Sequence, residues 1–267
     1  MQNKTPQNFL FSKNSERSLK IAVDDYGLHP NIDKAIRTLA EQGIVNKVSI
    51  MANTAYEPEP LPDHIETGLH IDLTTPRSLG GKPLASSPFQ LLRSHQLSIH
   101  EIEDRIEAQL SHLTSLGFKT THIDTHQHIH LISPILQAIL NIATTHNIPN
   151  IRCPQLQIRH YPFYIRSLLQ CGFFKQAIKL QALYAGGYTI KSKLAHLSSS
   201  PNLILMPLAH HGNYTKLLNL FVHHFHTQHV ELVTHPGLPA DIPNEPYIKG
   251  REIEYQALLA LTDHQSK

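Results

Sequence analysis

The sequence has few of the features that mark disulfide-stapled, membrane-spanning or nucleic-acid-binding proteins. It contains only two cysteines, Cys153 and Cys171, which lack CxxC spacing. It has no run of about 18 apolar residues that could span a membrane. The formal net charge is only +2, and the lysines and arginines form no basic cluster. These absences, together with a polar N-terminus, predict a cytoplasmic protein without membrane or nucleic-acid partners.

What the sequence does contain is enough apolar material for a core and an unusual number of histidines. Hydrophobic residues make up 40% of 267 residues, which suits one large α/β domain. There are 21 histidines, and eight of them are expected to be surface residues without a function. These are His95, His100, His112, His146, His223, His224, His226 and His229. A high count alone is consistent with surface histidines that have no function. A functional interpretation therefore depends on where the remaining histidines fall.

Short apolar segments alternate along the chain with segments of helical periodicity, a pattern typical of parallel βαβ units. We predict a (β/α) barrel, TIM-barrel-like, with seven or eight strands in residues 18–267, preceded by a flexible arm at 1–17. A Gly-Gly pair at 186–187 is expected to interrupt the helical region at 161–200. Strands are predicted at 19–25, 47–51, 66–73, 120–124, 150–154, 203–208 and 230–237. Helices are predicted at 31–42, 98–117, from 134, and at 214–228 and 250–262.

Acidic and histidine side chains recur where predicted strands end, and a parallel barrel gathers those ends on one face. Asp24 and Asp25 end the first strand in VDDYG, so one carboxylate could bind a metal while the other accepts a proton. His70 and Asp72 lie in GLHIDL, and His235 precedes a Pro-Gly turn in THPG. The imidazole of His235 could act as an acid, a base or an oxyanion partner.

The segment HIDTHQHIH, residues 122–130, carries the densest group of ionisable side chains. If it is extended, five of them share one face, and burial there would require a charge partner or a metal. They cannot all bind one ion, and Asp124 is well placed to orient a ligating imidazole. The alternative is a solvated polar loop. The five are His122, Asp124, His126, His128 and His130.

DDYG, GLHIDL, HIDTHQHIH and THPG resemble, in order and spacing, the motifs of the YdjC-type carbohydrate deacetylases. That family is also called ChbG-like and is related to the hopanoid-associated deacetylases. The similarity extends over roughly residues 19–240. Two departures are Tyr26, where the family commonly has Phe, and Thr234, where it often has Cys. Residues 155–200 show no clear correspondence to the family's motifs.

The resemblance implies a divalent-metal hydrolase that removes acetyl groups from N-acetylated sugars such as chitin-derived oligosaccharides. By that resemblance Asp25, His70 and His126 are the metal ligands, Asp24 is the general base and His235 the acid. The family is commonly described with Mg²⁺, while imidazole ligands also suit Zn²⁺ or another transition metal. The residues expected to support the site or the substrate are His122, Asp124, His128, His130, Asp72 and Arg152.

Two alternatives remain open. One is another metal-dependent barrel hydrolase, such as a phosphoesterase, although that chemistry would favour a second metal. The other is a non-catalytic metal-binding protein, suggested by the abundance of histidine. A barrel of this size is also compatible with a homo-oligomer.

Overall fold

A computed structural model describes residues 19–52, 56–75, 79, 82–93, 97–194, 198–199, 202–209, 213–242 and 247–263. The arm predicted at residues 1–17 lies outside these ranges. Within the described residues, no helix is both long and apolar enough to cross a membrane.

The described strands form one parallel sheet in the order β6-β5-β4-β3-β2-β1-β8-β7. Every pairing among them is parallel, as the alternation of strands and helices predicts. The strands are β1 (Leu19–Tyr26), β2 (Lys47–Ile50), β3 (Glu66–Ile71), β4 (His122–Thr125), β5 (Asn150–Ile151), β6 (Ser198–Ser199), β7 (Asn202–Leu205) and β8 (Val230–Thr234).

Eight α-helices are found among the described residues. Their local signals are clear in two cases. Ser98 accepts a hydrogen bond from the Glu101 N–H and caps α3, as its capping box predicts. Pro30 opens α1, where its missing N–H would be unsatisfied in any case. The helices are α1 (Pro30–Glu41), α2 (Pro88–Arg93), α3 (Ile99–Ser115), α4 (Ser133–Thr145), α5 (Tyr161–Gln170), α6 (Phe174–Ile190), α7 (Tyr214–Phe225) and α8 (Ile248–Asp263).

The sheet is strongly curled but does not close into the barrel predicted from the sequence. Arg152, which follows β5, forms an ion pair with Asp24 on β1, four strands away in the sheet order. A flat sheet would separate those strands by about 19 Å, at about 4.8 Å per strand, beyond the reach of an arginine. Among the described residues no pairing joins β6 to β7. The fold is therefore an open, barrel-like sheet flanked by helices.

The prediction that Gly186 and Gly187 interrupt a helix is wrong. α6 runs without a break from Phe174 to Ile190. A Cβ atom at position 187 would collide with the carbonyl oxygen of Pro154. Gly187 therefore lets the helix approach the backbone that follows β5, and its role is close packing rather than helix termination.

Candidate active site

The two adjacent aspartates lie at the end of β1, where the strand is irregular. The pairing register with β2 shifts between Val23 and Tyr26. Asp25 has φ 69°, a left-handed conformation that costs free energy for a residue with a side chain. Both aspartates are buried. Asp25 faces His70 and Asp24 faces Arg152, so the two carboxylates have separate partners.

Asp25, His70 and His126 lie together although 101 residues separate the first from the last. The Asp25 Oδ1 atom is 3.3 Å from His70 Nε2 and 3.1 Å from His126 Nδ1. One ligand atom from each residue lies within 4.8 Å of the other two. The His70 and His126 rings meet edge to face, with their centroids 5.6 Å apart. These three side chains form the Asp25–His70–His126 cluster.

The donor set of this cluster fits a divalent cation. Nδ1 of His70 is hydrogen-bonded to Asp124, so in neutral His70 the lone pair of Nε2 faces the Asp25 carboxylate. Two electron-rich atoms at that distance repel unless a proton or a cation lies between them. Burial lowers the pKa of His70, but Asp124 and Asp25 outweigh it and raise that pKa to about 10. A bound cation would take the place of this proton.

The carboxylate of Asp25 is held in its ionised form, which cation binding requires. Burial raises its pKa, but the neighbouring Arg251 and His126 outweigh burial and hold the pKa well below the usual value. Burial likewise lowers the pKa of His126, and Asp25 reverses that effect and raises it. The cluster thus combines one ionised carboxylate with two imidazoles, a donor set that suits Zn²⁺ and other transition metals and admits Mg²⁺.

The segment HIDTHQHIH is extended only over His122–Thr125. A 3₁₀ segment spans His126–Leu131, and Gln127 and His128 adopt left-handed φ values of 58° and 56°. The chain therefore turns sharply after His126, which removes the common face predicted for the histidines. His128 and His130 remain neighbours, with ring centroids 6.0 Å apart.

His130 is buried beside the cluster and held by Thr125. The Thr125 Oγ1 atom lies 2.7 Å from His130 Nδ1 and accepts the His130 backbone N–H at 3.2 Å. Nε2 of His130 is buried with no hydrogen-bond partner among the described residues. Burial lowers the pKa of His130 to about 4, and burial also lowers the pKa of His128. Both imidazoles are therefore neutral near pH 7.

A second acidic group, composed of Asp24, His70 and Asp124, also has metal-ligand spacing. The guanidinium of Arg152 forms ion pairs with both carboxylates of this group. Its Nη2 atom pairs with Asp24 and lies 2.9 Å from Asp124 Oδ2. A guanidinium already neutralises these two carboxylates, and a second divalent cation would have to displace it. The arrangement therefore favours a single metal.

His235 lies at the open side of the site, 23% exposed at its side chain. Its Nε2 atom is 3.9 Å from Asp24 Oδ2. Nδ1 has no hydrogen-bond partner among the described residues. Burial lowers the pKa of His235 to about 4, and the nearby Asp24 and Asp25 only partly oppose this effect. His235 is thus neutral at rest and close to one carboxylate of the site.

Two residues predicted near the site have other contacts. His122 is fully buried against Gly68, and its Nε2 atom lies 3.1 Å from Ser49 Oγ, which donates to Asp124. His122 therefore helps to hold Ser49 in the position from which it donates to Asp124. The carboxylate of Asp72 accepts the backbone N–H groups of residues 74 and 75 at 2.9 and 3.1 Å and the hydroxyl groups of the same residues. Asp72 thus stabilises the turn after β3.

Two site residues on α8 were missed in the sequence. Arg251 donates from Nη2 to Asp25 Oδ2 at 2.6 Å. Glu254 accepts the backbone N–H of His235 at 2.7 Å and the hydroxyl of Tyr214 at 3.0 Å. Both are buried. In sequence they resemble the charged residues of an exposed helix face, and only the spacing of their apolar neighbours could have indicated burial.

Comparison with known proteins finds a family whose members are similar to this chain over most of its length. Residues 18–263 match the family described as YdjC-like protein. A carbohydrate deacetylase of Halalkalibacterium halodurans is 25% identical over 179 residues, covering 60% of this chain and 74% of the relative. A carbohydrate deacetylase of Thermoanaerobacter pseudethanolicus is 30% identical over 151 residues, which covers 49% and 58%. A Mus musculus carbohydrate deacetylase is 30% identical over 155 residues, which covers 51% and 50%. The chain thus spans about half to three quarters of these relatives.

A solved structure has a similar fold. The crystal structure of an Enterococcus faecalis V583 protein, described as a candidate cellobiose-phosphate cleavage protein, superposes with a TM-score of 0.60. The match covers 94% of this chain and 93% of that one at 15% sequence identity. At this identity the match supports the open barrel-like architecture alone.

Proposed function

Because the chain belongs to the YdjC-like protein family, we propose that it is a metal-dependent hydrolase that removes acetyl groups from N-acetylated sugars. Relatives named carbohydrate deacetylase support the reaction and the substrate class. The observation that carries the proposal is the convergence of Asp25, His70 and His126, with Asp24 and His235 beside them. Chitin-derived oligosaccharides are the first substrates to test.

The Asp25–His70–His126 cluster would hold the cation. When bound, a divalent cation polarises the acetyl carbonyl and makes a water molecule more acidic. Asp124 keeps His70 in the tautomer that turns Nε2 toward the site. The protein's part of the reaction is then to place a proton acceptor and a proton donor next to the amide.

Asp24 is the proposed general base. Arg152 holds Oδ2, while Oδ1 is buried with no hydrogen-bond partner among the described residues. An unsatisfied carboxylate oxygen in a buried position is costly and is suited to accept a proton from an attacking water. The guanidinium fixes the direction of the carboxylate.

His235 is the proposed acid. Because it is neutral at rest, it must receive a proton during the reaction, and Asp24 is the nearest donor once it has deprotonated water. His235 would pass that proton to the departing amine nitrogen. The products are acetate and a free amino sugar, and Asp24 and His235 regain their starting protonation states.

Acetate release from N-acetylated mono- and oligosaccharides tests this proposal. We expect release by the purified protein, loss of release after treatment with a chelator, and recovery on adding back one of Mg²⁺, Mn²⁺, Co²⁺ or Zn²⁺. The same preparations are assayed with aryl phosphate esters. Chelator-insensitive acetate release would contradict the metal dependence, and phosphate release without acetate release would favour a phosphoesterase.

A further inference from the structure

We propose that Arg251 is a positioning residue that leaves only one oxygen of Asp25 for the metal. This inference rests on the proposed function. The Nη2 atom of Arg251 binds Oδ2 of Asp25 at 2.6 Å, whereas Oδ1 faces the two ligand histidines. The guanidinium thus engages Oδ2 and leaves Oδ1 as the oxygen that would bind a cation.

The backbone around Arg251 fixes this arrangement. Its carbonyl oxygen accepts the backbone N–H of Gly237 at 3.0 Å, which joins α8 to the turn after β8. A Cβ atom at Gly237 would lie 3.2 Å from Arg251 Cβ and 3.4 Å from Arg251 Cδ, so the turn packs directly on the arginine stem. Arg251 is 2% exposed. Its side chain therefore has little room to leave Asp25.

One-oxygen binding matters because a carboxylate can bind a cation through one oxygen or through both. Binding through both would fill a coordination position that the proposed reaction needs for the acetyl oxygen or for water. The positive charge of Arg251 also opposes the cation electrostatically, so the cluster holds its metal less tightly than it would without the arginine. We expect Arg251 to lower the metal affinity of the cluster and to raise kcat.

Arg251→Met, which keeps the stem and removes the charged fork, tests this inference. We expect Mn²⁺ or Zn²⁺ to bind with unchanged or up to about tenfold lower Kd by calorimetry, while kcat for acetate release falls by about 100-fold and KM changes little. In the Co²⁺-loaded variant, visible absorption should weaken as the coordination number rises. A merely structural role would instead weaken metal binding and turnover together.

Arg251→Lys is the second variant and Arg166→Met the matched control. The lysine substitution keeps the charge with a single donor group, so we expect kcat between those of Arg251→Met and the native protein. Arg166 is exposed on α5, and its replacement should change neither Kd nor kcat. If Arg251→Met does not fold, the lysine variant must still show reduced kcat without weakened metal binding.

The outcomes separate the two proposals. Failure of the native protein to bind metal or to release acetate would overturn the proposed function. If the native protein does both, unchanged kcat in both Arg251 variants would overturn the positioning role alone. So would a parallel loss of metal affinity and turnover.

Discussion

At the scale of single residues, we predict different effects for substitutions of the two adjacent aspartates, Asp24 and Asp25. Asp25→Asn removes the only carboxylate of the cluster and should weaken divalent metal binding by at least about 100-fold. Asp24→Asn leaves the cluster intact and should preserve the Kd of the metal, while kcat falls by about 10² to 10⁴-fold. Calorimetry with Mn²⁺ and acetate-release kinetics measure the two effects.

His126→Ala should behave like Asp25→Asn, and Asp63→Asn, on an exposed turn, is the matched acidic control. Loss of the metal in Asp24→Asn with retention in Asp25→Asn would mean that the roles of the two acids are exchanged. Circular dichroism verifies that each variant is folded.

A second residue-scale prediction concerns Asp33 on α1, whose carboxylate Oδ1 accepts the Gly27 N–H at 2.7 Å. Burial raises the pKa of Asp33 to about 7, above its unfolded value of 3.8. Its stabilising contribution is therefore present below about pH 4 and is lost as pH rises toward 7. Asp33→Asn keeps an acceptor oxygen but cannot ionise.

We expect Asp33→Asn to gain stability relative to the native protein between pH 4 and pH 8, by about 2–4 kcal/mol at the upper end. Urea unfolding at several pH values measures this difference. The exposed Asp63→Asn control should show no comparable trend. A constant difference across the pH range would mean that Asp33 does not titrate on unfolding.

Residue types and motif order predicted which acids and histidines meet, because each follows an apolar strand that ends on the same side of the sheet. The choice of Asp25, His70 and His126 from this wider set came from the resemblance to the YdjC-type deacetylases. Arg251 and Glu254 were not, because a helix sequence rich in charges does not reveal which charges turn inward. Asp72 was expected near the substrate, but its carboxylate is engaged by the turn that follows β3.

At the scale of elements, the glycine pair of α6 provides a matched comparison. Gly187→Ala places a methyl group on the carbonyl oxygen of Pro154, which is backbone and cannot rotate away. We expect a loss of at least about 3 kcal/mol of unfolding free energy, or an insoluble protein. Gly186→Ala meets Leu131 Cδ1 at 3.0 Å, a side-chain atom that can shift.

Alanine favours a helix by up to about 1 kcal/mol over glycine, so Gly186→Ala should stay within about 1 kcal/mol of the native protein. Denaturant unfolding of the two variants measures the contrast. Equal effects at both positions would contradict the close approach of α6 to the segment after β5.

Element positions followed well from periodicity where apolar runs are long, as in β1, β3, α1 and α3. The pattern was less informative at 150–154, where only Asn150–Ile151 pairs as a strand and Arg152 then turns into the site. The pair Gly186 and Gly187 was misinterpreted because a glycine in a helical sequence is compatible both with a helix break and with a close contact. The strand predicted at 120–124 ends at Thr125, but the 3₁₀ segment after it was not predicted, because alternating histidines carry no helical periodicity.

At the scale of the whole molecule, the cluster joins segments that are far apart in the chain, so metal binding should stabilise the entire fold. At a metal concentration of 100 times Kd, linkage adds about 2.7 kcal/mol. For a protein of this size that corresponds to a rise in Tm of about 5–10 °C. Thermal unfolding with increasing Mn²⁺ or Zn²⁺ measures it.

The rise in Tm should be lost in His126→Ala and kept in His223→Ala, whose histidine is exposed on α7. Binding of many ions with similar weak affinity, unaffected by His126→Ala, would instead favour a histidine-rich metal-buffering protein. The class of the fold was predicted correctly as α/β with a parallel sheet. The open edge of the sheet was not predicted. Sequence patterns indicate how many strands there are, but they do not reveal whether the two edge strands pair with each other.

The ion pair between Asp25 and Arg251 spans 226 positions of the chain. A ribosome releases the first of these residues long before the second. Throughout that interval the nascent polypeptide lacks the guanidinium that engages Asp25 in the folded protein. A product cut short before residue 251 would therefore lack the guanidinium that engages Asp25, and with the positioning role proposed for Arg251 we expect it to lose turnover.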